Sequence, residues 1–124
     1  MKRVLILDND PDVLDVMKEA LTYEGFEVMC VGEASDVIAL VNDHNPDLLI
    51  IDYILHGING GELCHQVKAD KRTAELPVVL VSVYPRVLQS LGDYDCDDFI
   101  PKPFDLEDLV ERIKKLTENT MHVT

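Results

Sequence analysis

The stretch that decides the fold is Pro46-Asp47-Leu48-Leu49-Ile50-Ile51-Asp52, which is followed by Gly57 and by the pair Gly60-Gly61. Its four consecutive apolar residues are typical of a strand that is buried on both faces of a parallel sheet. Asp52 closes the apolar run. The pattern therefore predicts a buried strand that carries a carboxylate at its tip, then a loop, then a helix.

Three further apolar runs end in a polar residue in the same way. Asp8 follows residues 4–7, Ser82 follows residues 78–81, and Lys102 comes just after Phe99-Ile100. The carboxyl ends of parallel strands line the ligand crevice of an open α/β sheet. Two carboxylates, a hydroxyl and a lysine at that edge favour phosphoryl chemistry with a divalent metal.

The whole chain follows an alternating pattern of strands and helices. Strands are predicted at residues 4–7, 27–31, 48–51, 78–81 and 99–100. Helices are predicted from Asp10-Pro11 to Gly25, from a cap at Ser35 to Asn45-Pro46, around Leu63 to Val67, over residues 85–91, and from a cap at Asp105 onward. This order predicts an α/β fold with a parallel sheet and helices on both faces. One domain over residues 1–118 and a frayed tail over residues 119–124 are expected.

The composition of the chain indicates which kinds of binding partner and which cellular compartment the protein has. The 124 residues include 24 acidic and 11 basic side chains, for a net charge of −13, which disfavours binding to nucleic acid or to an anionic membrane. The first apolar run is too short for a signal peptide or a membrane span. The three cysteines have no CxxC spacing, which favours free thiols in a reducing cytoplasm.

The ordered set of motifs resembles the receiver domain of two-component response regulators, here of the single-domain type, over about residues 3–118. The resemblance rests on residues 7–11 (Leu-Asp-Asn-Asp-Pro), residues 46–52, Gly60, residues 80–82 (Leu-Val-Ser) and residues 102–104 (Lys-Pro-Phe). It implies a flavodoxin-like three-layer sandwich with a five-stranded parallel sheet of order 2-1-3-4-5 and five helices. It also implies a cis peptide bond between Lys102 and Pro103.

The resemblance implies a reaction for the strand tips. Asp52 would accept a phosphoryl group from a phosphohistidine on a sensor histidine kinase or phosphotransfer protein, while Ser82 and Lys102 would contact that group. The cofactor would be Mg²⁺, held by Asp8, Asn9, Asp52 and the backbone carbonyl of Ile54. Such a domain catalyses its own phosphorylation and dephosphorylation and is not a conventional enzyme.

The resemblance also implies a switch. Ser82 and Phe99 would change conformation together after phosphorylation. The change would alter the face made by the fourth helix, the fifth strand and the fifth helix, where a downstream protein or a second copy would dock.

Two departures from the family pattern support an alternative. Asn9 stands where the family usually has a second acidic residue, and Val83 stands where it prefers alanine or glycine. Asp10 is the obvious substitute for the missing acid, but it also has the position of a helix cap. The alternative is a phosphorylation-independent module of the same fold that only binds proteins.

A more remote alternative is a haloacid-dehalogenase-like phosphatase. Asp8-Asn9-Asp10 fits the DxD nucleophile motif of that family. The order of the remaining residues does not fit, and Asp52 would have no role.

Overall fold

The computed structural model describes residues 1–33, 36–55, 58–83 and 96–118. In chain order its strands are β1 (Arg3–Leu7), β2 (Glu27–Val31), β3 (Leu48–Asp52), β4 (Ile54–Leu55), β5 (Ile58–Asn59), β6 (Val78–Ser82) and β7 (Asp98–Pro101). Five of them form one parallel sheet in the order β2-β1-β3-β6-β7. Counting only these five, the order is 2-1-3-4-5, which confirms the predicted flavodoxin-like topology.

Four helices lie in the described parts of the chain: α1 (Pro11–Tyr23), α2 (Val37–His44), α3 (Gly60–Ala69) and α4 (Leu106–Glu118). The helix predicted over residues 85–91 and the predicted tail over residues 119–124 lie outside the described residues. Within the described ranges, every helix is too short or too polar to cross a lipid bilayer.

The helix starts follow from side-chain capping. Asp10 and Asp105 cap α1 and α4 as predicted, since each carboxylate accepts hydrogen bonds from two amides of the first helical turn. The N-cap of α2 is Asp36, whose Oδ1 accepts from the Ala39 amide at 3.1 Å. Ser35, the cap that the sequence predicted for this helix, lies outside the described residues.

The core has two layers because alternate strand residues point to opposite faces of the sheet. Leu5, Leu49 and Leu80 belong to a buried cluster on the side of α2 and α3, which we call cluster A. Val4, Ile50 and Val79 belong to a second cluster on the side of α1 and α4, which we call cluster B. Helices cover both faces, which is why the strands read as continuous apolar runs.

A two-stranded antiparallel ribbon, β4 with β5, follows the third strand of the sheet and was not predicted. It occupies part of the segment between Asp52 and α3. Asn59 closes the ribbon and caps α3, since its Oδ1 accepts from the Gly61 amide at 2.7 Å. This short connection therefore sets the path of the chain directly after Asp52.

Candidate functional site

The polar residues singled out at the strand ends lie at one edge of the sheet. Asp52 ends β3 opposite Val81, and Ser82 ends β6 opposite Pro101. Asp8 follows β1, and its amide donates to the Val31 carbonyl at 3.1 Å. These residues share the edge because parallel strands all bring their carboxyl ends to the same side.

Lys102 connects the two carboxylates of this edge. Its Nζ lies 2.9 Å from Asp8 Oδ2 and 3.4 Å from Asp52 Oδ1. The side chains are 13% (Lys102), 1% (Asp8) and 12% (Asp52) exposed, so the three charges are largely removed from water. The Lys102–Pro103 bond is cis, as the resemblance implied. The shorter of the two Lys102 contacts goes to Asp8.

The electrostatics of Asp52 follow from this grouping. Burial and, next, the neighbouring Asp8 carboxylate raise the pKa of Asp52 above its ordinary value. Lys102 and the Tyr53 backbone amide act in the opposite direction but do not cancel that rise. Two carboxylates with one ammonium leave an excess of negative charge, so the site favours an additional cation.

The two aspartates of the loop after β1, Asp8 and Asp10, accept hydrogen bonds from different backbone amides. Asp8 Oδ1 accepts from the Asp10 amide at 2.9 Å. Asp10 Oδ1 accepts in turn from the Asp12 amide at 3.0 Å and the Val13 amide at 3.4 Å. Asp10 is therefore engaged as the cap of α1. Asn9 lies between them and is half-buried.

The donor set fits a hard divalent cation such as Mg²⁺. Asp8 and Asp52 both lie within reach of the same lysine ammonium, so their carboxylates converge on one point. Carboxylate and amide oxygens are ligands of the kind Mg²⁺ takes in proteins. In the part of the chain that the structure describes, no three Asp, Glu, His or Cys residues form a metal-holding group.

Gly60, one of the residues on which the resemblance rests, has a packing role that was not predicted from the sequence. A Cβ placed there would lie 2.0 Å from the backbone oxygen of Asp52 and 2.9 Å from a side-chain carbon of Ile51. The Gly60 amide also donates to the Tyr53 carbonyl at 2.6 Å. The first turn of α3 therefore packs directly on the backbone of Asp52, at a distance only glycine permits. The paired glycines at a helix start were the available signal.

Ser82 and Phe99 lie on the neighbouring strands β6 and β7. Phe99 pairs in register with Leu80, and both pack in cluster A. Ser82 is two residues beyond Leu80, so it lies on the same face of the sheet, and it is buried. Val83, by contrast, is 54% exposed.

The structure is that of a flavodoxin-like α/β domain with an acidic pair and a lysine at the carboxyl edge of its sheet. Comparison with known families makes the assignment definite. The model of the response regulator receiver domain matches residues 4–114. The chain therefore belongs to the receiver domains of two-component signalling, and the dehalogenase-like alternative does not hold.

Individual relatives agree with this assignment. The chain is 30% identical over 122 residues to a DNA-binding dual master transcriptional regulator, RpaA, from Synechocystis sp., with 97% of this chain and 51% of that protein covered. The chain thus spans about half the length of this curated relative.

Solved structures show the same fold. The signal receiver domain of a histidine kinase from Syntrophus aciditrophicus is 26% identical with a TM-score of 0.89, covering 100% of this chain and 96% of that one. The response regulator TrrA from Thermotoga maritima, solved in complex with Mg²⁺ and BeF, is 28% identical with a TM-score of 0.83, covering 94% and 99%.

Proposed function

We propose that this chain is a phosphorylation-activated signalling domain that accepts a phosphoryl group on Asp52 from a sensor histidine kinase or a phosphotransfer protein. The observation that carries the proposal is the placement of Lys102 Nζ, 2.9 Å from Asp8 Oδ2 and 3.4 Å from Asp52 Oδ1. The lysine is the one cation among these charges. It is held where the phosphoryl oxygens would arrive.

Asp52 is the nucleophile in this proposal. A carboxylate oxygen of Asp52 attacks the phosphorus, the phosphorus–nitrogen bond of the donor phosphohistidine breaks, and the histidine leaves with the bonding electron pair. The product is an acyl phosphate on Asp52.

Lys102 changes partner during the reaction. In the unphosphorylated protein its ammonium offsets part of the repulsion between Asp8 and Asp52. When a phosphoryl group is attached to Asp52, the ammonium pairs with the new oxygens as a compact point charge. The Ser82 hydroxyl, at the end of the adjacent strand, donates to the same group.

Mg²⁺ is the cofactor that this donor set fits, and it would offset the negative charge on the transferring phosphoryl group. Asp8, Asp52, Asn9 and the backbone carbonyl of Ile54 would hold it. Asn9 contributes a neutral oxygen instead of a charged one, so we expect weak affinity. Lys102 already occupies Asp8 Oδ2 and competes for the same carboxylate.

A second candidate is a receiver-like module that binds a partner without being phosphorylated. Two features favour this candidate. Asn9 carries no negative charge, and Lys102 donates directly to Asp8, so the site attracts a divalent cation less strongly. The chain spans only about half of the transcriptional regulator from Synechocystis, so this relative does not identify the downstream partner. We expect this partner to be a protein, because the net charge of −13 repels nucleic acid.

The two candidate functions differ in whether Asp52 accepts a phosphoryl group. The protein is incubated with acetyl phosphate, with Mg²⁺ or with EDTA, and its intact mass is measured beside that of Asp52→Asn. The proposal expects a gain of about 80 Da in the wild type with Mg²⁺, reversed by mild base, and none in Asp52→Asn or with EDTA. An unmodified wild type, with a known receiver domain labelled in parallel, would establish the phosphorylation-independent module instead.

A further inference from the structure

Two cysteine thiols lie side by side in cluster A. Cys64 is on α3 and is completely buried, while Cys96 precedes β7 and is half-buried. The two side chains pack in the same cluster, and a hydrogen bond joins their thiols. Neither cysteine has a part in the proposed phosphotransfer.

Neighbouring residues hold the two cysteines together. Lys68 follows Cys64 by four residues, so it lies on the same side of α3. Its Nζ lies 2.6 Å from Oδ2 of Asp97, the residue after Cys96. The same Asp97 oxygen accepts from the Val78 amide at 2.7 Å, which fastens this segment to β6. Asp97 is therefore held by α3 through Lys68 and by β6 through Val78, which keeps the neighbouring Cys96 close to α3.

We propose that Cys64 and Cys96 form a reversible intramolecular disulfide when the protein meets hydrogen peroxide. In the first step the Cys96 sulfur attacks one peroxide oxygen, the O–O bond breaks, and Cys96 becomes a sulfenic acid as water leaves. In the second step the Cys64 sulfur attacks the Cys96 sulfur, the S–O bond breaks, and a second water leaves with the Cys64 proton. The two thiols are oxidised by two electrons in total, and the peroxide is reduced to two waters.

The order of the two steps follows from exposure. Cys96 has access to solvent, whereas Cys64 has none, so the oxidant meets Cys96 first. The hydrogen bond that the Cys64 thiol donates to Cys96, together with burial, raises the pKa of Cys64, so Cys64 stays protonated and gives up its proton only when it attacks Cys96. Cys64 is thus the resolving residue.

The bond would join α3, which packs on the backbone of Asp52, to the segment that leads into Phe99. It would therefore reduce the freedom of β7 to move relative to α3. This inference does not rest on the proposed phosphotransfer, because thiol oxidation requires neither Asp52 nor a metal.

The test is oxidation of the full chain with stoichiometric hydrogen peroxide, with the intact mass measured before and after alkylation of the remaining thiols. Before alkylation we expect a loss of about 2 Da, as one hydrogen leaves each thiol. We expect the number of free thiols to fall from the three of the reduced protein to one. A proteolytic peptide pair linking Cys64 to Cys96 should be found, and dithiothreitol should reverse the change.

Cys30→Ser is the matched control, because Cys30 belongs to the opposite cluster B, and it should form the bond normally. Cys96→Ser changes a half-buried residue and should remove the mass loss. Cys64→Ser should leave Cys96 as a sulfenic acid, about 16 Da heavier than the thiol, because no second thiol is present to resolve it. Three thiols remaining in the wild type, sulfinic acid on wild-type Cys96, or disulfide-linked dimers as the main product would overturn the proposal.

Discussion

Gly60 lies against the backbone of Asp52 so closely that any side chain at position 60 would collide with it. A Cβ there would be 2.0 Å from the Asp52 carbonyl oxygen. The atom it meets is backbone and has no rotamer to adopt. The strand that presents Asp52 and the helix that follows are therefore locked together at one glycine.

Gly60→Ala should destabilise the protein in spite of alanine's higher helix propensity. We expect the free energy of unfolding to fall by about 2–3 kcal/mol, the scale of overpacking in a rigid site. Gly32→Ala is the control, since a Cβ there meets only the Asp8 carbonyl oxygen at 4.0 Å. It should change stability by less than about 0.5 kcal/mol. Equal denaturant midpoints for Gly60→Ala and wild type would contradict the close approach.

Asp52→Asn should stabilise the metal-free protein at neutral pH. Because folding raises the pKa of Asp52, stability is lost as pH rises above its unfolded value of 3.8 toward the raised value. Asparagine cannot ionise, so Asp52→Asn should have a thermal midpoint a few degrees above that of the wild type at pH 7. This gap between the two midpoints should become smaller in acid. Glu111→Gln, an exposed carboxylate on α4, is the control and should show no such gap. An Asp52→Asn midpoint at or below that of the wild type at pH 7 would refute this account.

Asn9→Asp should increase the affinity for Mg²⁺, because it restores a charge beside Asp8. We expect a gain of about tenfold, or ~1.4 kcal/mol, in calorimetric titration. It should also lower the stability of the metal-free protein, because a third carboxylate joins Asp8 and Asp52. Asn42→Asp adds the same charge at an exposed position of α2 and should leave both quantities unchanged. If Asn9→Asp gains no more affinity than Asn42→Asp, Asn9 has no place in the metal site.

Ser82 and Phe99 should respond together when the acceptor is occupied. They lie on one face of adjacent strands, so drawing the Ser82 hydroxyl toward a phosphoryl group vacates space next to Phe99. We expect a population shift between two packings, worth a few kcal/mol at most. NMR with beryllofluoride, which stands in for the phosphoryl group, should move the resonances of Phe99 and of residues 85–91. Shifts confined to the Asp52 loop would rule out the coupling.

The strands of the sheet were predictable because burial on both faces leaves continuous apolar runs. The bounds of β2 agree at both ends, and those of β3 differ only by the inclusion of Asp52. The ribbon of β4 and β5 was not predictable, because two-residue strands carry no periodicity and depend on the path between Asp52 and α3. A local pattern finds elements that extend over several residues and misses those that tertiary contacts impose.

The members of the site were predictable as residue types at strand ends, but their pairing was not. Lys102 Nζ is 2.9 Å from Asp8 and 3.4 Å from Asp52, and so small a difference depends on the packing of side chains that are far apart in sequence. The collision that forbids a side chain at Gly60 is likewise visible only when the helix is placed on the strand.

The most direct test of the account locates the phosphoryl group itself. The protein is treated with acetyl phosphate and Mg²⁺, and borohydride then reduces the acyl phosphate to an alcohol. Reduction converts the modified aspartate into homoserine, about 14 Da lighter, which marks the site of acyl-phosphate chemistry. Peptide mass spectrometry should find homoserine at Asp52, with Asp8, Asp10 and Asp47 unchanged. Homoserine at any of those three positions with Asp52 intact, or at none of the four, would contradict the assignment of Asp52 as the phosphoacceptor.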